Sequence, residues 1–71
     1  GGLVRLTDFY EKMKSKDAAA LFEEMAPEFA AGLLGRMRST AAASVMAGLS
    51  PKAAYTISVI LAGRNATVPK E

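Results

Sequence analysis

KSKDAAALFEEM, APEFAAGLLGRM, RSTAAASVMAGL and SPKAAYTISVIL, read end to end as residues 14–61, are one twelve-residue pattern written four times without a gap. The second place holds Ser15, Pro27, Ser39 and Pro51. The fifth is always alanine, as Ala18, Ala30, Ala42 and Ala54. The eighth is aliphatic, as Leu21, Leu33, Val45 and Ile57. The twelfth is Met25, Met37, Leu49 or Leu61. An exact period of this kind marks an array in which each copy is one structural unit.

Within a copy, places five, eight, nine and twelve stand at i, i+3, i+4 and i+7, the spacing of an apolar stripe on a helix. The stripes are Ala18, Leu21, Phe22 and Met25; Ala30, Leu33, Leu34 and Met37; Ala42, Val45, Met46 and Leu49; and Ala54, Ile57, Ser58 and Leu61, where Ser58 breaks the set. Pro27 and Pro51 suit a first helical position, where no N–H is needed. The residue before each is pushed out of helical geometry. Ser50 is placed to cap the helix that Pro51 opens, and Ser15 and Ser39 are the matching polar starts. The chain is therefore expected to turn at every period. Helices of this length do not hold in water alone, for which about 12–15 residues is the floor. They must stack, and the small residues at places five to seven let their axes approach closely. The expected fold is all-α: an N-terminal helix followed by four short repeat helices stacked as a compact superhelix.

The flanks read differently. Gly1-Gly2 reads as an expression scar. Residues 3–13 form a helix outside the array, with Leu3, Leu6, Tyr10 and Met13 as an a/d seam. That seam is either the inner face of the first bundle helix or the end of a coiled coil, and as a coiled coil it would join a homodimer. Asp8 and Lys12 form a favourable i, i+4 pair on it. The repeat domain is expected over 14–63, with Gly63 as its C-terminal cap, and 64–71 as a polar tail. Asn65-Ala66-Thr67 matches a glycosylation acceptor only as a three-residue coincidence.

Composition narrows the chemistry. At 71 residues the chain is one small domain, and 51% apolar residues suffice for a core. It has no cysteine and no histidine, so it lacks the usual zinc ligands and the commonest general base. A net charge of +2 from scattered residues argues against nucleic acid. No run is long enough to insert into a membrane. The glycines form no phosphate-binding pattern. No catalytic residue, metal ligand or cofactor is assigned. Glu23, Glu24 and Glu28 gather at one turn and read as a solvated acidic surface, with a hard cation as the alternative. Arg36 and Arg38 read as solvated, or as a contact for an acidic partner. The apolar residues off the stripe are Tyr55, Val59 and Ile60, with Phe29 next; either the first helix folds back to cover those of the last copy or a partner does, and on the second reading these four are the expected partner-binding residues of a protein-interaction domain.

The stretch DAAALFEEMAPEFAAGLLGRM, with its P-E-x-A-A-x-x-L-x-x-M cadence, resembles the N-domain of MgtE-type magnesium transporters over about residues 13–61. That resemblance implies a superhelix of short helices related in shape to modules of the flagellar switch protein FliG. The ending SPKAAYTISVILAGRNATVPK looks like the C-terminus of MotE proteins of rhizobial-type bacteria. The second resemblance implies a periplasmic chaperone that stabilises a motor protein, MotC, and so supports motility. The alternative it leaves is a cytoplasmic, Mg²⁺-sensing regulatory domain of a transporter. Repeat starts in the transporter family often read Asp-Pro-Glu; here they read Lys-Ser-Lys, Ala-Pro-Glu, Arg-Ser-Thr and Ser-Pro-Lys. No metal-binding residue is carried over.

Overall fold

The computed structural model describes residues 1–65 and consists of α1 (Gly2–Lys12), α2 (Ser15–Glu24), α3 (Pro27–Arg36), α4 (Ser39–Ala47) and α5 (Pro51–Asn65). No strand occurs among the described residues. The last four helices each begin at the second place of a copy, so the period alone locates every start. Of the serines, only Ser50 caps: its hydroxyl accepts the Ala53 N–H at 3.2 Å. Ser15 and Ser39 instead lie inside the first turn, behind Lys14 and Arg38, which offer no side-chain cap.

The turns are made without glycine strain. In each, the twelfth-place N–H donates to the ninth-place carbonyl: Met13 to Tyr10 at 3.2 Å, Met25 to Phe22 and Met37 to Leu34 at 3.1 Å, and Leu49 to Met46 at 3.2 Å. Met13, Met25 and Met37 are then extended, with ψ of 160°, 154° and 158°. The residues after Met25 and Met37, Ala26 and Arg38, have ψ of 133° and 146°. Two extended residues in succession carry the chain into the next helix, and no residue with positive φ is needed.

Met13 belongs to that series, which corrects the reading of residues 3–13 as standing outside the array. α1 ends as α2 and α3 do, and counting back from Met13 makes Gly2–Met13 a copy in register. Its fifth and sixth places hold Leu6 and Thr7, where the later copies have alanine except for Tyr55 at the sixth place of the last. Thr7 is buried, and its hydroxyl donates to the Leu3 carbonyl at 2.7 Å. Tyr10 and Phe22, both at place nine, meet edge to face with ring centroids 5.1 Å apart. The seam is thus divided. Leu6 and Tyr10 pack against the core, while Leu3 and Met13 stay exposed.

Both ends also differ from expectation. Gly2 is helical, and Gly1 accepts the Arg5 N–H at 3.1 Å. Gly63 is no cap; α5 continues through it to Asn65 with ordinary φ, so the boundary at 63 and the start of the tail at 64 both move outward. The rest of the tail and of the Asn65-Ala66-Thr67 triplet lies outside the described residues.

Packing follows a rule of alternate helices. α1 packs on α3 and α3 on α5, while α2 packs on α4; α1 also touches α2. The core joins Ala18, Ala19 and Phe22 to Ala30, Leu33, Leu34, Val45 and Ile57. The Cα radius of gyration is 11.8 Å, close to the ~11 Å expected of a folded chain this long. Burial at each place depends on which neighbours exist. Place eight is buried in α3, α4 and α5 (Leu33, Val45, Ile57), each of which has a helix two copies earlier. In α1 and α2, which have none among the described residues, it is open: Phe9 is 51% and Leu21 46% exposed. Place six behaves in the opposite sense. Thr7, Ala19 and Ala31 are buried beneath a later helix, whereas Ala43 and Tyr55 are exposed. Place six therefore faces forward along the array and place eight faces back.

Candidate interaction surfaces

Tyr55 and Val59 sit one helical turn apart on α5, so their side chains lie over the same face. Tyr55 is 71% exposed, the most open large apolar side chain among the described residues, and Val59 is half open. Ser58 is exposed beside them, at the place that Phe22 and Leu34 fill with buried groups. The break in the stripe thus widens the solvent face of α5.

Ile60 does not join this strip. It is half-buried and packs against the core, because a step of five residues turns about 140° away from Tyr55. Phe29 is exposed but stands apart on α3. Arg64 Nη2 donates to the Glu28 carbonyl at 3.3 Å, and a Cβ on Gly35 would lie 3.6 Å from Leu61. The end of α5, with Leu61 and Arg64, therefore lies against α3. Tyr55, nine residues earlier than Arg64, lies roughly 13 Å back along the axis. The four expected residues form one strip of two, one separate aromatic and one half-buried residue packed on the core.

The carboxylates are placed by the array. Glu11 accepts the Arg38 N–H at 2.8 Å, and Glu23 accepts the Ser50 N–H at 2.9 Å, both across 27 residues. Each glutamate is at place ten, and each donor is the first residue of the third copy onward. Glu11 is also paired with Arg38 Nε at 3.5 Å. Glu23 takes the Ser50 hydroxyl at 2.6 Å. That hydroxyl, then the Ser50 N–H, holds the Glu23 carboxyl below the ordinary carboxylate range. Glu28 lies 3.6 Å from Arg64. Of the acidic turn seen in the sequence, two members are thus occupied by protein partners. No three carboxylates converge among the described residues.

Two shallow clefts accompany these contacts. One, of about 430 Å³, lies between α1 and the start of α4 and is lined by Arg5, Asp8, Glu11, Arg36 and Arg38. Arg36 Nη1 there donates to the Gly32 carbonyl at 2.9 Å. The other, of about 210 Å³, is lined by Phe22, Glu23, Met25, Ser50 and Ile57. Each is lined by a capping glutamate, Glu11 in the first and Glu23 in the second. The sequence reading missed these caps, although Glu11 and Glu23 share a place, as do Arg38 and Ser50.

Among the described residues no helix is long and apolar enough to cross a membrane. Compared with protein-family models, curated protein sequences and solved structures, the chain matches none.

Proposed function

We propose that the chain is a non-enzymatic protein-interaction domain whose five helices form a superhelical stack of the MgtE N-domain kind, and that it serves a MotE-like periplasmic chaperone of a MotC-like motor protein. The partner lies against the α5 strip. The observation that carries this reading is the exposure of Tyr55, at 71%, beside Val59 and Ser58 on the last helix of the array. A tyrosine with an apolar body and a polar tip is a frequent anchor at protein interfaces. The repeat pattern calls for alanine at this place, and the rest of the fold gains nothing from the substitution. Homodimerisation through α1 would rest on Leu3 and Met13, because Leu6 and Tyr10 are engaged in the chain's own core.

The test is binding of a purified MotC-like protein by calorimetry. Tyr55→Ala weakens binding by about 1–3 kcal/mol, the usual cost of losing an interface anchor, and Val59→Asp abolishes it. Circular dichroism of both variants remains that of the parent chain. Unchanged affinity in a folded Tyr55→Ala, Val59→Asp double variant would remove α5 as the surface.

A further inference from the structure

The fold repeats one docking event twice. α1 packs on α3, and its Glu11 reaches the start of α4. α2 packs on α4, and its Glu23 reaches the start of α5. In both events the arriving helix offers a small residue at place six, Thr7 or Ala19, and a glutamate four residues later. In both, the receiving helix offers an aliphatic place-eight residue, Leu33 or Val45, and all of these apolar contacts are buried. In the first event the charge is matched as well, because Arg38 opens α4 and lies 3.5 Å from Glu11.

Shifted back by two copies, the receiving half of this event has no arriving helix among the described residues. The place-eight residue is Phe9, which is half exposed on α1. The residue that opens the next helix is Lys14, which corresponds to Arg38. Lys14 is exposed and has no ion pair among the described residues. α2, like α4, begins with no side-chain cap of its own.

We propose that this face of α1, with Lys14 beside it, docks an acidic amphipathic helix of a partner protein. The helix presents a small residue and, four residues on, a glutamate. The small residue lets its axis approach α1 while Phe9 packs beside it. The glutamate takes the place at Lys14 that Glu11 takes at Arg38, so an apolar contact and a charge-assisted contact are made together. The charge also selects against a second copy of this chain. The glutamates of its α1 and α2 are already bound to Arg38 and Ser50. Its forward-facing helices offer Ala43 with Ala47 and Tyr55 with Val59, and neither pair has a carboxylate.

The probe is an acetylated, amidated peptide that carries the α2 sequence KSKDAAALFEEM between two alanine-rich turns. It is titrated into the ¹⁵N-labelled 71-residue chain. Saturable shifts are expected at Phe9, at Lys14 and along the outer face of α1. A peptide with glutamine at the position of Glu23 binds about tenfold more weakly, as expected for loss of a charge-assisted contact. Phe9→Ser, confirmed as folded by circular dichroism, loses the response, and Tyr55→Ala keeps it. Equal binding of the glutamine peptide would overturn the proposal, as would absence of shifts at millimolar peptide. So would shifts centred on α4, which would mean that the peptide replaces α2. Concentration-dependent sedimentation of the chain alone, abolished by Phe9→Ser, would assign the face to a second copy and overturn it too.

Discussion

Leu21 and Leu33 are the same residue at the same place of consecutive repeats, and only their neighbours differ. Leu33 is 1% exposed and Leu21 is 46% exposed. Alanine at either position removes the same three carbons, and the small gain in helix propensity is the same for both. At about 0.8 kcal/mol per buried carbon, Leu33→Ala loses ~2.4 kcal/mol of transfer energy. The cavity it leaves between α1, α3 and their neighbours raises the total to ~3–5 kcal/mol. Leu21→Ala leaves no enclosed cavity and gives up about half the transfer energy, or ~1 kcal/mol. A chain of this length has about 4–10 kcal/mol to lose, so Leu33→Ala is close to unfolding, whereas Leu21→Ala is well folded. Urea titration followed by far-ultraviolet circular dichroism measures both. With a slope near ~1 kcal/mol per molar, the midpoint falls by ~3 M or more for Leu33→Ala and by ~1 M for Leu21→Ala. If Leu33→Ala has no folded baseline, Leu33→Val serves, with a loss of about 1 kcal/mol or more. Equal midpoint shifts for the two alanine variants would refute the assignment of place eight to the backward contact.

Three further outcomes follow from the caps and the closest approach. Glu11→Ala leaves the Arg38 N–H without its acceptor at a carboxylate only 13% exposed, and costs about 1–3 kcal/mol in the same urea assay. The Glu23 carboxyl is held below its ordinary range by the Ser50 hydroxyl and N–H. Its contribution is therefore present above the ordinary glutamate value and is lost as pH falls through the lower folded value. Midpoints of the parent chain and Glu23→Gln, compared at pH 7 and pH 3, should converge at the lower pH. Gly48→Ala would set a Cβ 2.8 Å from the Cβ of Ala19. Neither atom can rotate away, so α2 and the end of α4 must separate, at a cost of about 1–3 kcal/mol measured by thermal unfolding.

The sequence locates helix starts well because proline, serine and the period agree at Ser15, Pro27, Ser39 and Pro51. It fails at α1 for a physical reason. Leu6 and Thr7 stand where the next three copies have alanine, so the residues that mark the other copies are missing from this one. A heptad seam through Leu3 then explains the same residues as readily as a repeat through Met13. Gly63 misleads in another way: a helical glycine costs only about 1 kcal/mol, which the contacts of Leu61 and Arg64 with α3 offset. The exclusion of Ile60 from the Tyr55 strip was already written in helical geometry, since five residues do not return to one face. The glutamate caps were not legible in that way. Their partners lie 27 residues away, and a span that crosses two intervening helices has no signature in local periodicity.

The two ends of the array are not equivalent, and this bears on how each is recognised. At the forward end the repeat rule is broken at place six, where Tyr55 replaces the alanine that lets a following helix approach. A tyrosine there holds a further repeat helix away from α5, so whatever binds α5 must accommodate a projecting ring rather than close-packed axes. At the other end the rule is kept. Phe9 and Leu21 are the apolar groups a helix would cover, and Lys14 is the charge that its glutamate would meet. The two proposed contacts thus lie at opposite ends of the described helices and rest on different chemistry. Tyr55→Ala and Phe9→Ser should therefore affect different partners, and neither substitution should carry over to the other face.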